Sequence, residues 1–165
     1  MLSLKVIDYP NPDSFEVLAA VASLHGHARK IVVVAVYIPP GYRVGRARAC
    51  MAHISDLIME AKRRYREPSI FVCGDFNQWG IADSLADFVD LEELQVGSTR
   101  GAHSIDKIFS NAHTTVRDKG TVAPLDAQDA PEGADSDHRV AYGRFDIQRV
   151  QNFEWLTYTY LYFNE

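Results

Sequence analysis

The stretch Ile31 to Ile38, IVVVAVYI, constrains this chain more than any other. It is a nearly continuous apolar run rich in β-branched residues, with no polar alternation, so it fits a strand buried on both faces. Pro39-Pro40-Gly41 ends it. Phe15 to Leu24 forms a second apolar, partly β-branched run, and His25-Gly26-His27-Ala28-Arg29 separates the two. The spacing predicts a β-hairpin with a five-residue loop.

A helix follows. From Val44 to Tyr65, the apolar residues Ala47, Met51, Ile54, Ile58, Ala61 and Tyr65 recur at spacings of four and three, one stripe of an amphipathic helix. Lys62, Arg63, Arg64 and Arg66 suit its negatively polarised C-terminal end, and Pro68 stops it. Ser69 to Gly74, SIFVCG, then reads as a short buried strand. Strand, helix and strand in this order imply a βαβ-type unit in a mixed sheet and an α/β fold class. Residues 1 to 14 give no strong pattern, with Pro10 and Pro12 in a turn-like run. In the second half, Asp83 could cap a short helix through Leu91, using Leu85, Phe88 and Val89. Strands are expected at Ile105 to Ser110, Thr114 to Val116 and Arg139 to Ile147. Residues 126 to 137 form an acidic loop that fails the EF-hand pattern, because Gln128 and Ala130 stand where oxygen-bearing ligands are required.

At 165 residues, with 47% hydrophobic and 24% charged residues, the chain has the size and composition of one globular domain. No window reaches the roughly 18 consecutive apolar residues of a membrane helix, and no secretory leader pattern opens the chain. Cys50 and Cys73 lack metal-ligand spacing and read as core thiols of a reducing, intracellular compartment. The net charge of −5 excludes a uniformly basic nucleic-acid binder, so any such contact is local. Arg43, Arg46 and Arg48 directly follow the prolines; they are either solvated or the candidate contacts to a phosphate backbone. Trp79 either caps the core or stacks on a base, and His25 and His27 fall in the hairpin loop.

Three polar clusters adjoin buried strands: Gly74-Asp75-Phe76-Asn77, Ser104-Ile105-Asp106 and Ser136-Asp137-His138. Such positions allow side chains to project into one cleft. Singly, each also reads as an ordinary turn. Taken in order, YIPP (Tyr37 to Pro40), GDFN (Gly74 to Asn77), IDKIFS (Ile105 to Ser110) and SDH (Ser136 to His138) resemble the endonuclease/exonuclease/phosphatase superfamily, whose members have a DNase I-like fold. Thr99-Arg100-Gly101 before Ile105-Asp106, together with GDFNQW, looks like the endonuclease domains of non-LTR (LINE-type) retrotransposon polyproteins. The resemblance covers about residues 15 to 147.

The resemblance implies an α/β sandwich of mixed, largely antiparallel sheets flanked by helices, and a role for each matching residue. Asp75 orients or deprotonates the attacking water, and Asn77 contacts the scissile phosphate. His138 stands at the reacting phosphate and Asp106 orients it. Asp137 belongs to the metal and phosphate site, and the Tyr37 hydroxyl approaches the phosphate. The implied cofactor is Mg2+ or Mn2+, and the implied partner is DNA, contacted at its backbone by Arg43 and Arg46. Phosphodiester hydrolysis requires an activated water, stabilisation of charge on the phosphoryl oxygens and help for the leaving alkoxide. Carboxylates and an Asn carbonyl suit a hard, oxygen-preferring cation, and a His held by a carboxylate can donate to a phosphate oxygen.

The superfamily also places an Asn and a metal-binding Glu well upstream of the YIPP segment. Glu16 is the only Glu before Tyr37 and belongs to the hairpin strand, so it is not assigned the metal role. The expectation is therefore a truncated domain over residues 1–147 with impaired hydrolysis, an edge of the IVVVAVYI run stripped of cover, and an aromatic tail over 148–165. That tail is either an extra strand on the core or a linker toward a downstream module such as a reverse transcriptase. Three functions compete: a retroelement DNA endonuclease expected in the nucleus, a phosphatase or phosphodiesterase for small substrates, and a noncatalytic remnant.

Overall fold

In a computed structural model of the chain, the described residues are 2–7, 16–25, 29–41, 44–77, 90–111, 114–123 and 138–147. Eight strands and one helix lie among them, in the order β1 (Leu2–Ile7), β2 (Glu16–Leu24), β3 (Ile31–Tyr37), α1 (Val44–Arg64), β4 (Ser69–Asp75), β5 (Leu91–Leu94), β6 (Asp106–Asn111), β7 (Thr114–Val122) and β8 (Val140–Ile147). Six strands form a sheet in the order β1-β2-β3-β4-β6-β5, and β7 and β8 form a second sheet. Every pairing is antiparallel except β3 with β4, the two strands joined through α1. The βαβ unit and the hairpin of β2 and β3 thus stand where the sequence placed them.

The side-chain period of two divides the main sheet into unlike faces. Val17, Ala19 and Val21 of β2, Val32, Val34 and Val36 of β3, Ile70 and Val72 of β4 and Phe109 of β6 share one core with α1. The helix answers with Cys50, Met51, Ile54, Leu57, Ile58 and Ala61, a stripe at spacings of three and four. Cys50 and Cys73 are free thiols that burial pushes up to about 12, in keeping with a packing role. On the opposite face, β8 lays Phe145 edge-on against Phe71, with ring centroids 4.7 Å apart, beside Leu94, Val96 and Ile108. Asn111 clips the far end: its Nδ2 donates to the Pro68 carbonyl at 2.7 Å and its Oδ1 accepts from Ile70 N at 3.2 Å.

Several expectations change. Residues 2–7 form an edge strand, β1, in register with β2 from Leu2 against Leu24 to Ile7 against Ala19. Leu91 opens the strand LEEL rather than closing a helix; its side chain enters the α1 core while Leu94 packs on the other face. The strand at Thr114 continues to Val122, because it pairs with β8 along that whole length, with an irregularity between Val116 and Asp118. The IVVVAVYI run is not stripped: β3 lies between β2 and β4, and exposed apolar side chains occur at Leu4, Val6 and Leu18 on β1 and β2 instead. The helix expected at Asp83, Trp79, the acidic loop over 126–137 and the tail over 148–165 lie outside the described residues. No helix among the described residues is long and apolar enough to cross a membrane.

Candidate active site

Register builds the site. Glu16 pairs with Tyr37, Tyr37 with Asp75, and Asp75 with Asp106, so these four residues stand in one row across β2, β3, β4 and β6. The row is on the face opposite α1, at the end where β3 and β4 finish. Gly74 makes the approach possible: its φ is 150°, and a Cβ there would lie 1.8 Å from the Val36 carbonyl oxygen. Beyond the strand, Ile38 N donates to the Asp75 carbonyl at 3.0 Å, and Asn77 turns back through a left-handed φ of 42°. That conformation suits Asn better than most residues.

Asn77 holds both carboxylate oxygens of Asp75. Its backbone N–H donates to Oδ1 at 2.9 Å, while its Nδ2 donates to Oδ2 at 2.9 Å and to the Ile38 carbonyl at 3.2 Å. Burial pushes the Asp75 carboxyl above the usual carboxylate range, the Asn77 N–H works against this, and the neighbouring Asp106 charge adds to it. The positive charges of His138 and Arg100 oppose the rise.

His138, arriving just before β8, brings its Nδ1 to 3.1 Å from Asp106 Oδ2 and 3.3 Å from Oδ1. Both side chains are half-buried. Thr99 fixes the meeting. Fully buried, it accepts at Oγ1 from Ile105 N at 3.1 Å and Asp106 N at 3.0 Å, and its carbonyl accepts from Arg139 N at 2.6 Å. One residue therefore clamps the chain at both Asp106 and the neighbour of His138. The sequence reading used Thr99 only as part of a resemblance; its signal is a Thr in a Gly-containing turn before a strand, a residue type that caps free backbone donors.

Of the residues singled out in the sequence, Asp75, Asn77, Asp106 and His138 come together, with Tyr37 adjacent in the row. Asp137 and Arg43 lie outside the described residues, and Arg46 is placed only as part of α1. One ligand atom each from Asp75, Asp106 and His138 lie within 4.8 Å of one another. Two carboxylates and an imidazole form a donor set that a divalent cation takes, with the carboxylates preferred by harder ions. The residues present fit such an ion.

No family model and no curated protein sequence matches the chain. Solved structures do match its fold. An endonuclease/exonuclease/phosphatase protein from Bacteroides vulgatus superimposes with a TM-score of 0.59 and 16% identity, covering 88% of this chain and 67% of that one. D. rerio TDP2, complexed with a single strand DNA product, gives 0.59 at 12% identity over 87% of this chain and 67% of that chain. A mannosyl-6-phosphatase from Bacteroides thetaiotaomicron gives 0.59 at 14% identity over 78% and 56%. The chain has the DNase I-like α/β fold of these proteins. It spans about half to two thirds of the length of the solved structures it matches.

Proposed function

We propose that this chain is a divalent-metal-dependent phosphodiester hydrolase domain acting on DNA, of the kind found in retroelement endonucleases. The observation that carries the reading is the meeting of Asp75, Asp106 and His138 at adjoining strand ends. Asp106 takes the Nδ1 side of the imidazole and leaves Nε2 to donate to a phosphoryl oxygen as charge builds there. Asp75, held through both oxygens by Asn77, orients or deprotonates the attacking water. Tyr37, next to Asp75 in the row, offers a hydroxyl to the phosphate. Asp75 and Asp106, with Asp137 as a further ligand, would hold a Mg2+ or Mn2+ ion, which would supply Lewis acidity to the phosphoryl group.

The retroelement assignment rests on Thr99-Arg100-Gly101 and on GDFNQW, and it carries with it a nuclear location and a reverse transcriptase module as partner. Arg43 and Arg46 are the proposed backbone contacts. Among the described residues the donors that meet are Asp75, Asp106 and His138, without a Glu, so slow turnover is part of the proposal. The test is plasmid nicking by the purified chain with Mg2+ and with EDTA, beside His138→Ala and Asp106→Asn. Weak nicking that EDTA and either substitution abolish is the expected result; nicking indifferent to His138→Ala overturns the reading. A second reading, hydrolysis of small phosphomonoesters, draws on the fold shared with a mannosyl-6-phosphatase. Phosphate release from sugar phosphates without nicking would favour it, and neither activity from a folded chain would favour a noncatalytic remnant.

A further inference from the structure

The connection from β5 to β6 holds a cationic residue, Arg100, on a closely bonded turn beside the site. Thr99 N and Arg100 N both donate to the His103 carbonyl, at 2.9 and 3.0 Å, and His103 N donates back to the Arg100 carbonyl at 2.9 Å. Gly101, at a φ of 56°, turns the tip. This small closed loop is bonded to the segments of Asp106 and His138, through Thr99 to Asp106 and Arg139, and Ile105 just beyond it accepts from Phe76 N at 2.9 Å. Arg100 is exposed on that loop. Two aspartates beside one another repel an anionic substrate, so a phosphate entering the cleft needs positive charge held in place. A guanidinium supplies a planar fork matched to two phosphate oxygens, which an ammonium does not.

We propose that Arg100 is a substrate-binding residue, its guanidinium gripping nonbridging oxygens of the phosphate that reacts at Asp75, Asp106 and His138. This rests on the phosphoester reading of the site and extends it to a residue that the motif match left without a role. The backbone bonds of the loop set its position, so exchanging the side chain leaves the loop standing. Arg100 directly follows Thr99, whose hydroxyl accepts from Asp106 N at 3.0 Å, and its charge is among those that oppose the rise at Asp75.

The test uses the full chain without metal and inorganic phosphate as the probe, followed by NMR at the Asp106 amide and the His138 ring. Arg100→Ala weakens phosphate binding at those signals about tenfold or more, and Arg100→Lys recovers only part of it. Lys119→Ala, an equal change in net charge on exposed β7, leaves it unaltered. Equal affinity in Arg100→Ala, full recovery by lysine, or an equal loss in Lys119→Ala overturns the proposal while the site reading stands. No phosphate-induced shift in the unaltered chain also overturns it, and the nicking assay then decides the fate of the site reading separately.

Discussion

The two faces of the six-stranded sheet are built from the same strands and do opposite things. On β4, Ile70 and Val72 are fully buried beneath α1, while Phe71, Cys73 and Asp75 face the other way and are only half-buried. On β3, Val32, Val34 and Val36 are at most 1% exposed, and the alternate residues pass from Ile31 through Val33 to Tyr37. The helix face is hydrocarbon across β2, β3 and β4, with polar side chains of the same parity, Glu93, Lys107 and Asn111, on β5 and β6, whereas the opposite face changes from hydrocarbon at one end to the Tyr37, Asp75 and Asp106 row at the other. Stability and chemistry are thus separated by strand parity, with one set of side chains free to be polar because the other set holds the sheet.

The comparison can be broken hardest from the helix face. Phe109 is fully buried, packs edge-on against Phe76 at 5.5 Å and has no room to be replaced by solvent. Phe109→Ala should cost about 3–5 kcal/mol, read as a lowered urea midpoint. On the other face, His138→Ala should change stability by no more than about 1 kcal/mol, because the ring is only half-buried. The nicking it leaves should fall at least about 100-fold. A His138→Ala protein as destabilised as Phe109→Ala would show that the two faces are not separable.

The helix face was the legible one. IVVVAVYI, the stripe from Met51 to Ala61 and SIFVCG carry periodicities that survive without tertiary information, and they gave β3, α1, β4 and the parallel pairing. The parts that escaped lie where sequence periodicity and burial disagree. β1 alternates Leu2, Leu4 and Val6, but Leu4 is 67% and Val6 54% exposed, so its apolar parity marks no core. LEEL has residues that favour a helix and becomes a strand because Leu91 and Leu94 are drawn to opposite faces. Asp75, Asn77, Asp106 and His138 were picked out by motif order, and register then brought them together; Thr99 was not, because its work is done by one hydroxyl and one carbonyl on backbone groups.

Thr99 offers a smaller break that crosses between stability and chemistry. Thr99→Val keeps the shape and leaves Ile105 N and Asp106 N without their buried acceptor, at a cost of about 1–3 kcal/mol. Because the hydroxyl positions Asp106, the same change should disturb the His138 ring signal and lower nicking, up to about 100-fold. A stability loss with an unchanged His138 signal and unchanged nicking would reduce Thr99 to a packing residue.

The finest test uses two adjacent residues of β2. Val17 is 6% exposed in the α1 core, and Leu18, one position on and therefore on the other face, is 57% exposed. Val17→Thr places a hydroxyl in hydrocarbon and should cost about 1–3 kcal/mol. Leu18→Thr gives up little buried area and introduces a β-branched residue that suits a strand, so its effect should lie within about 0.5 kcal/mol. Both are measured by urea denaturation at equal protein concentrations. A loss above about 1 kcal/mol for Leu18→Thr would mean that this part of the face is covered in solution, and a dependence of that loss on protein concentration would identify the cover as a second copy of the chain.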